Sequence, residues 1–279
     1  MVADYTLVES CAGSAALTFF LLGARRALVP YQGNKWRVRK ELARCVQRLG
    51  FEGPPARVLL TDPGPWGRVL DAVLHLESRE EVIEMLQYYA REDPRAIYDG
   101  LHGSPPSEED TYFSAEFLFL QRLAFSGKAV GVRDGKWASP GFNRTSAYGK
   151  AATEKFSKIN PMVPSMIATL ESYNNDLVPC EVEVRQECAG ARPLHVSGPT
   201  VEYLDPPYRG LTGYPNGSMT RQEVQDLAVR RRNEGAAVIV SEQEDIGLGW
   251  ERSCIHGGRR DSSPFRGQQE EWVSLGRAH

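Results

Sequence analysis

Residues 201–208 read Val-Glu-Tyr-Leu-Asp-Pro-Pro-Tyr, an apolar run followed by a carboxylate, two prolines and an aromatic ring. The run predicts a buried strand over Val201–Leu204, and the prolines predict a rigid turn stripped of backbone donors. In parallel α/β sheets, ligands sit beyond the carboxyl ends of strands. Asp205, Pro206, Pro207 and Tyr208 are therefore the candidate catalytic set. The Asp205 carboxylate and the Pro206 carbonyl are two acceptors for a planar amino group with two hydrogens, and Tyr208 can stack on the ring that carries it. An aromatic amine is a poor nucleophile because its lone pair is delocalised. Two fixed acceptors favour its pyramidalisation and stabilise the positive charge that grows on attack. The alternative for the same string is a plain surface turn.

Three shorter signals accompany it. Glu9, Ser10, Cys11, Ala12, Gly13 and Ser14 run from the end of an apolar strand, Tyr5–Glu9, into an apolar helix, Ser14–Leu22, with Ser14 as its expected N-cap. A strand, a small-residue turn and a helix let backbone approach a nucleoside cofactor closely, although an ordinary connection has the same pattern. The segment Pro30-Tyr31-Gln32-Gly33-Asn34-Lys35 offers a cation to a carboxylate or phosphate, or is a polar loop. Asp62, at the end of a second strand (Arg57–Thr61), either takes ribose hydroxyls or simply breaks the chain before Pro63.

The 279 residues suffice for one large domain, and a composition of 41% hydrophobic and 25% charged residues can fill a core. Five scattered cysteines form no disulfide framework and fit a reducing compartment. Neither Cys180 with Cys188 nor Cys254 with His256 has zinc-finger spacing, and the five histidines form no triad, so no metal is expected. Leu17–Leu22 is too short to span a bilayer. With no signal peptide evident, a cytoplasmic protein without membrane contact is expected.

The net charge is −3, but it is unevenly placed. Residues 77–116 carry eleven acids against three bases, whereas residues 122–158 carry eight bases against two acids. The second stretch interleaves Phe125, Trp137, Phe142, Tyr148 and Phe156, some of which must be core. A basic and aromatic segment suits a nucleic-acid backbone, with Lys128, Arg133, Lys136, Arg144 and Lys150 as candidate contacts. An ordinary solvated face is the alternative.

Helices are expected over 37–49, 80–90, 116–125, 165–170 and 221–235. Further strands are expected over 236–240 and 270–275. A loop or hairpin is expected over 127–140, where Arg133-Asp134-Gly135-Lys136 supplies the turn. Strands alternating with helices predict a mainly parallel α/β sheet, and the irregular basic middle predicts an inserted lobe.

Taken together, these segments resemble the Dam-like class of DNA adenine methyltransferases, from about residue 5 to 275. Residues 9–17 are similar to its cofactor loop, 30–35 to the segment whose lysine lies near the cofactor, and Asp205-Pro206-Pro207-Tyr208 to its catalytic tetrapeptide. Residues 116–127 resemble the helix and loop leading to target recognition, and Glu271-Trp272-Val273 resembles the closing strand. The resemblance implies a Rossmann-like core binding S-adenosylmethionine and a flipped adenine of double-stranded DNA. It divides the chain into a cofactor part (1–121), a target-recognition insert (122–199) and a catalytic part (200–279). It implies methyl transfer to adenine N6. The alternatives are cytosine N4 or RNA adenine as the target, or a non-catalytic DNA-binding protein on the same scaffold. Two departures stand out. The lysine segment follows the cofactor loop instead of preceding it, and a second glycine expected near Ala15 is missing.

Overall fold

The computed structural model describes residues 4–29, 35–144, 147, 162–194, 197–206, 219–242, 246–256 and 270–278. Nine strands are described: β1 Thr6–Ser10, β2 Arg57–Thr61, β3 Gly131–Arg133, β4 Lys136–Ala138, β5 Glu181–Arg185, β6 Thr200–Leu204, β7 Ala237–Glu242, β8 Glu251–His256 and β9 Glu270–Gly276. The described helices are α1 Ala16–Leu21, α2 Arg39–Arg48, α3 Pro65–Leu74, α4 Leu76–Tyr89, α5 Pro94–Leu101, α6 Asp110–Leu123, α7 Met162–Asp176 and α8 Arg221–Asn233. Short 3₁₀ turns at Lys35–Val38 and Phe125–Gly127 complete the set. No helix among the described residues is long and apolar enough to cross a membrane.

Seven strands form one α/β sheet in the order β5-β2-β1-β6-β7-β9-β8. The first five are parallel, and β9 runs antiparallel to both its neighbours. The chain steps outward from β1 to β2 and β5, then returns to place β6 on the other side of β1. The order therefore reverses between β1 and β6, and such switch points leave a crevice at the carboxyl end of the sheet. This topology is compatible with a Rossmann-like fold. β5 falls within residues 122–199, so that segment supplies an edge strand of the core as well as the smaller hairpin.

Side-chain alternation sorts the strands onto two cores. Leu7, Leu60, Tyr203 and Ile239 join a large core with residues of α1 to α4, α6 and α7. Leu204, Val238 and Val240 join a smaller one under α8. The residues 62–65 do break the chain, as expected, but they also start α3. Gly64 is extended and Pro65 occupies the first turn, where a missing N–H costs nothing. Gly67 lets that turn approach closely, since a Cβ there would lie 2.5 Å from the Asp62 carbonyl oxygen.

The expected hairpin is β3–β4, paired antiparallel across Asp134 (φ 51°) and Gly135 (φ 70°). It is stitched to the α5–α6 connection by Gly103 N–H to the Trp137 carbonyl and by Trp137 N–H to the Ser104 carbonyl. Trp137 is buried in the main core and donates Nε1–H to Glu116 at 2.7 Å.

Candidate active site

The site starts from the turn after β1. Within five residues the backbone is left-handed three times, at Cys11 (φ 57°), Gly13 (φ 50°) and Ala15 (φ 47°). That conformation costs a non-glycine residue about 1–2 kcal/mol, so its surroundings must enforce it. Ala12 N–H donates to the Thr61 carbonyl at 3.0 Å, and Ala15 N–H to the Ala12 carbonyl at 2.7 Å. Gly13 N–H donates to Asp62 Oδ2 at 2.9 Å, while Gly64 N–H donates to Asp62 Oδ1 at 2.8 Å. Ala15 is thus an alanine held in a conformation that favours glycine. Burial pushes the Asp62 carboxyl upward, against the pull of its two backbone donors.

Ser14 does not cap α1. The N-cap residue is Ala15, which has no side chain to bond the helix start. Glu9 acts in its place from inside β1, accepting Thr18 N–H at 2.9 Å and Thr18 Oγ1–H at 2.6 Å. Burial, aided by the Asp205 charge, raises the Glu9 carboxyl to about 7, while the Thr18 bonds oppose the rise. Ser10 donates to Glu202 Oε1 at 2.7 Å. Glu202, wholly buried in β6, faces Arg231 of α8 at 3.2 Å. Burial outweighs Arg231 and pushes the Glu202 carboxyl up. Burial, with the charges of Asp62, Asp205 and Glu202, also pushes the Cys11 thiol up.

The turn after β6 closes the site. Asp205 N–H donates to the Ser10 carbonyl at 3.3 Å, extending the β1–β6 register past the strand ends. The Asp205 side chain meets Lys35 Nζ at 3.0 Å. Lys35 is only 8% exposed, and lysines are seldom buried without a partner. The 3₁₀ turn at the entrance to α2 carries it there. Lys35 therefore reaches the carboxylate at the end of β6 from a distant part of the chain. Pro206 is buried beside it. Thr61 Oγ1, at the end of β2, is buried and has no hydrogen-bond partner among the described residues.

The structure thus gathers residues 9–15, Lys35, Asp62, Asp205 and Pro206 around one switch point. Pro207, Tyr208 and Lys150 lie outside the described residues. Lys128, Arg133, Lys136 and Arg144 are exposed, the first three on or beside the hairpin. Arg122 of the same basic stretch turns inward instead, donating Nε–H to the Met162 carbonyl. Among the interleaved aromatics Trp137 is core, Phe142 packs edge-on against Tyr98, and Phe125 stands 56% exposed. Sequence reading missed Thr18, Glu202 and Arg231. A glutamate inside the apolar run 201–204 was the available signal, since a buried acid demands a partner.

No protein-family model matches the chain, and comparison with curated proteins gives no match.

Proposed function

We propose that this protein is a DNA adenine-N6 methyltransferase that uses S-adenosylmethionine. The observation that carries the reading is the meeting of Lys35 with Asp205 beside the left-handed turn of β1, between segments 170 residues apart in sequence. The two segments belong to the set that, taken together, resembles one family, and nothing in their local patterns required them to converge.

The residues fit the cofactor. Only small side chains flank the turn from Cys11 to Ala15, so backbone can approach a nucleoside. The buried Thr61 hydroxyl can accept or donate to a polar ligand. S-adenosylmethionine supplies a methyl group already activated by its sulfonium. Asp62 shapes the turn through Gly13 and Gly64 and keeps spare lone pairs for ribose hydroxyls. Asp205 and the Pro206 carbonyl would accept hydrogen bonds from the two N–H groups of the everted adenine's amino group. They would orient its nitrogen for in-line attack on the methyl carbon, the N–C bond forming as the S–C bond breaks to leave a neutral thioether, and would stabilise the charge that grows on nitrogen until one of its protons passes to water. Lys35 fixes the Asp205 carboxylate in place. Tyr208 stacks on the base. The exposed cations of the hairpin region contact the duplex backbone.

The test is to incubate the protein with duplex DNA and methyl-labelled S-adenosylmethionine, digest the product and identify the labelled nucleoside. N6-methyldeoxyadenosine is expected. Label on cytosine, on RNA alone, or on neither contradicts the reading.

A further inference from the structure

A second basic stretch lies outside the segment 122–158. Residues 24–50 hold eight bases against a single acid, Glu41. Two of the bases belong to the interior of this region: Lys35 pairs with Asp205, and Arg39 lies over the Trp36 ring. Four others, Arg37, Lys40, Arg44 and Arg48, recur every three or four residues along the 3₁₀ turn and α2. That spacing places them in one stripe on a helix, and all four are exposed. The opposite side of α2, with Leu42, Cys45 and Val46, is buried.

The stripe is unevenly compensated. Arg44 reaches Glu41 at 3.4 Å, and Arg48 pairs with Glu251 and bonds Ser253. Arg37 and Lys40 make no ion pair among the described residues. Arg37 is two residues past Lys35 in the same 3₁₀ turn, so this end of the stripe adjoins the site along the chain while its own side chains face outward. The outward face of α4 is the reverse, with exposed Glu77, Glu80, Glu81 and Glu84. A polyanion meeting this molecule is repelled at α4 and attracted at α2.

The geometry points to the outward face of α2, from Arg37 to Arg48, as a docking surface for the phosphate backbone of duplex DNA. This rests on the proposed function above and locates where the duplex lies. The stripe is about 16 Å long at 1.5 Å per residue, close to half a turn of B-form duplex. It begins two residues after the lysine that pairs with the carboxylate proposed to hold the everted base. Phosphates flanking that base meet Arg37 and Lys40 first, and Arg44 and Arg48 extend the contact by exchanging their acidic partners for phosphate.

The experiment measures binding of the whole protein to a fluorescent random-sequence duplex by anisotropy, between 50 and 200 mM salt. Each phosphate contact contributes about 0.9 to the slope of log affinity against log salt. The double variant R37Q/K40Q is expected to flatten the slope by about 2 and to weaken binding roughly tenfold at 100 mM salt. R91Q, at the exposed end of the acidic helix, is expected to leave the slope unchanged. An unchanged slope in R37Q/K40Q, or an equal loss in R91Q, overturns the inference. So does a double variant that binds duplex normally but loses binding to phosphatidylserine-containing vesicles. Methyl transfer is read separately on the same proteins. Transfer with an unaltered slope removes the docking face and spares the enzyme, whereas α2-dependent binding without any methyl transfer does the opposite.

Discussion

Two aspartates stand at the ends of the two strands that flank β1, and they are held in different ways. Asp62, after β2, accepts backbone N–H groups from Gly13 and Gly64, one on each oxygen. Asp205, after β6, faces the ammonium of Lys35. Backbone amides cannot leave without the turn changing shape, so Asp62 is part of the scaffold. An ammonium can share its acceptor while still orienting it, so on the proposed function Asp205 is the acid that meets the ligand. Acid type and position at a strand end are the same, and what differs is the partner, two backbone amides for one and a side-chain ammonium for the other.

Substitutions should separate the two acids in turn. Lys35→Met leaves Asp205 without its ammonium in a largely buried position. Breaking a buried pair typically costs 3–5 kcal/mol, and partial exposure of Asp205 should bring the loss to about 3 kcal/mol in urea unfolding. Lys35→Arg should recover much of that stability. Asp62→Ala orphans two backbone donors and should cost about 2 kcal/mol, together with weaker S-adenosylmethionine binding by calorimetry. A Lys35→Met protein as stable as wild type, or an Asp62→Ala protein with unaltered cofactor affinity, would erase the contrast.

The interior acid Glu9 gives a pH signature. Its folded carboxyl is raised to about 7, above the ordinary value of about 4.3, so the folded state binds this proton more tightly. Its contribution is complete below the ordinary value and is lost as pH rises through about 7. Glu9→Gln should flatten that fall in stability between pH 4.5 and 7, and an unaltered profile would contradict the burial argument. The smallest effect is at Ala15. Ala15→Gly relieves a left-handed alanine at the loss of one buried methyl, so unfolding should shift by less than about 1 kcal/mol. Ala15→Val, β-branched in the same conformation, should destabilise clearly more.

Much of the sheet was legible in the sequence. β1, β2, β6 and β7 are apolar runs because parallel strands are buried on both faces. β5 escaped notice because it is an edge strand reading Glu-Val-Glu-Val-Arg. Its charged face forms a ladder in which Arg57 meets Glu181 and Glu183, and Arg185 meets Glu183. α3 was hidden by prolines that read as a break but also serve as its first turn. The turn after β1 was recognisable by its small residues, whereas the left-handed alanine in it was not, because its hydrogen-bonded surroundings impose that conformation. The Lys35–Asp205 contact lay beyond local reading altogether, since it depends on β6 returning to the side of β1 after 190 residues.

The most direct measurement compares Asp205→Ala with wild type for methyl transfer to duplex DNA and for S-adenosylmethionine binding by calorimetry. Transfer is expected to fall at least a thousandfold while cofactor affinity changes less than about threefold. Turnover near the wild-type rate in Asp205→Ala would contradict the assignment of that carboxylate to the reacting amine.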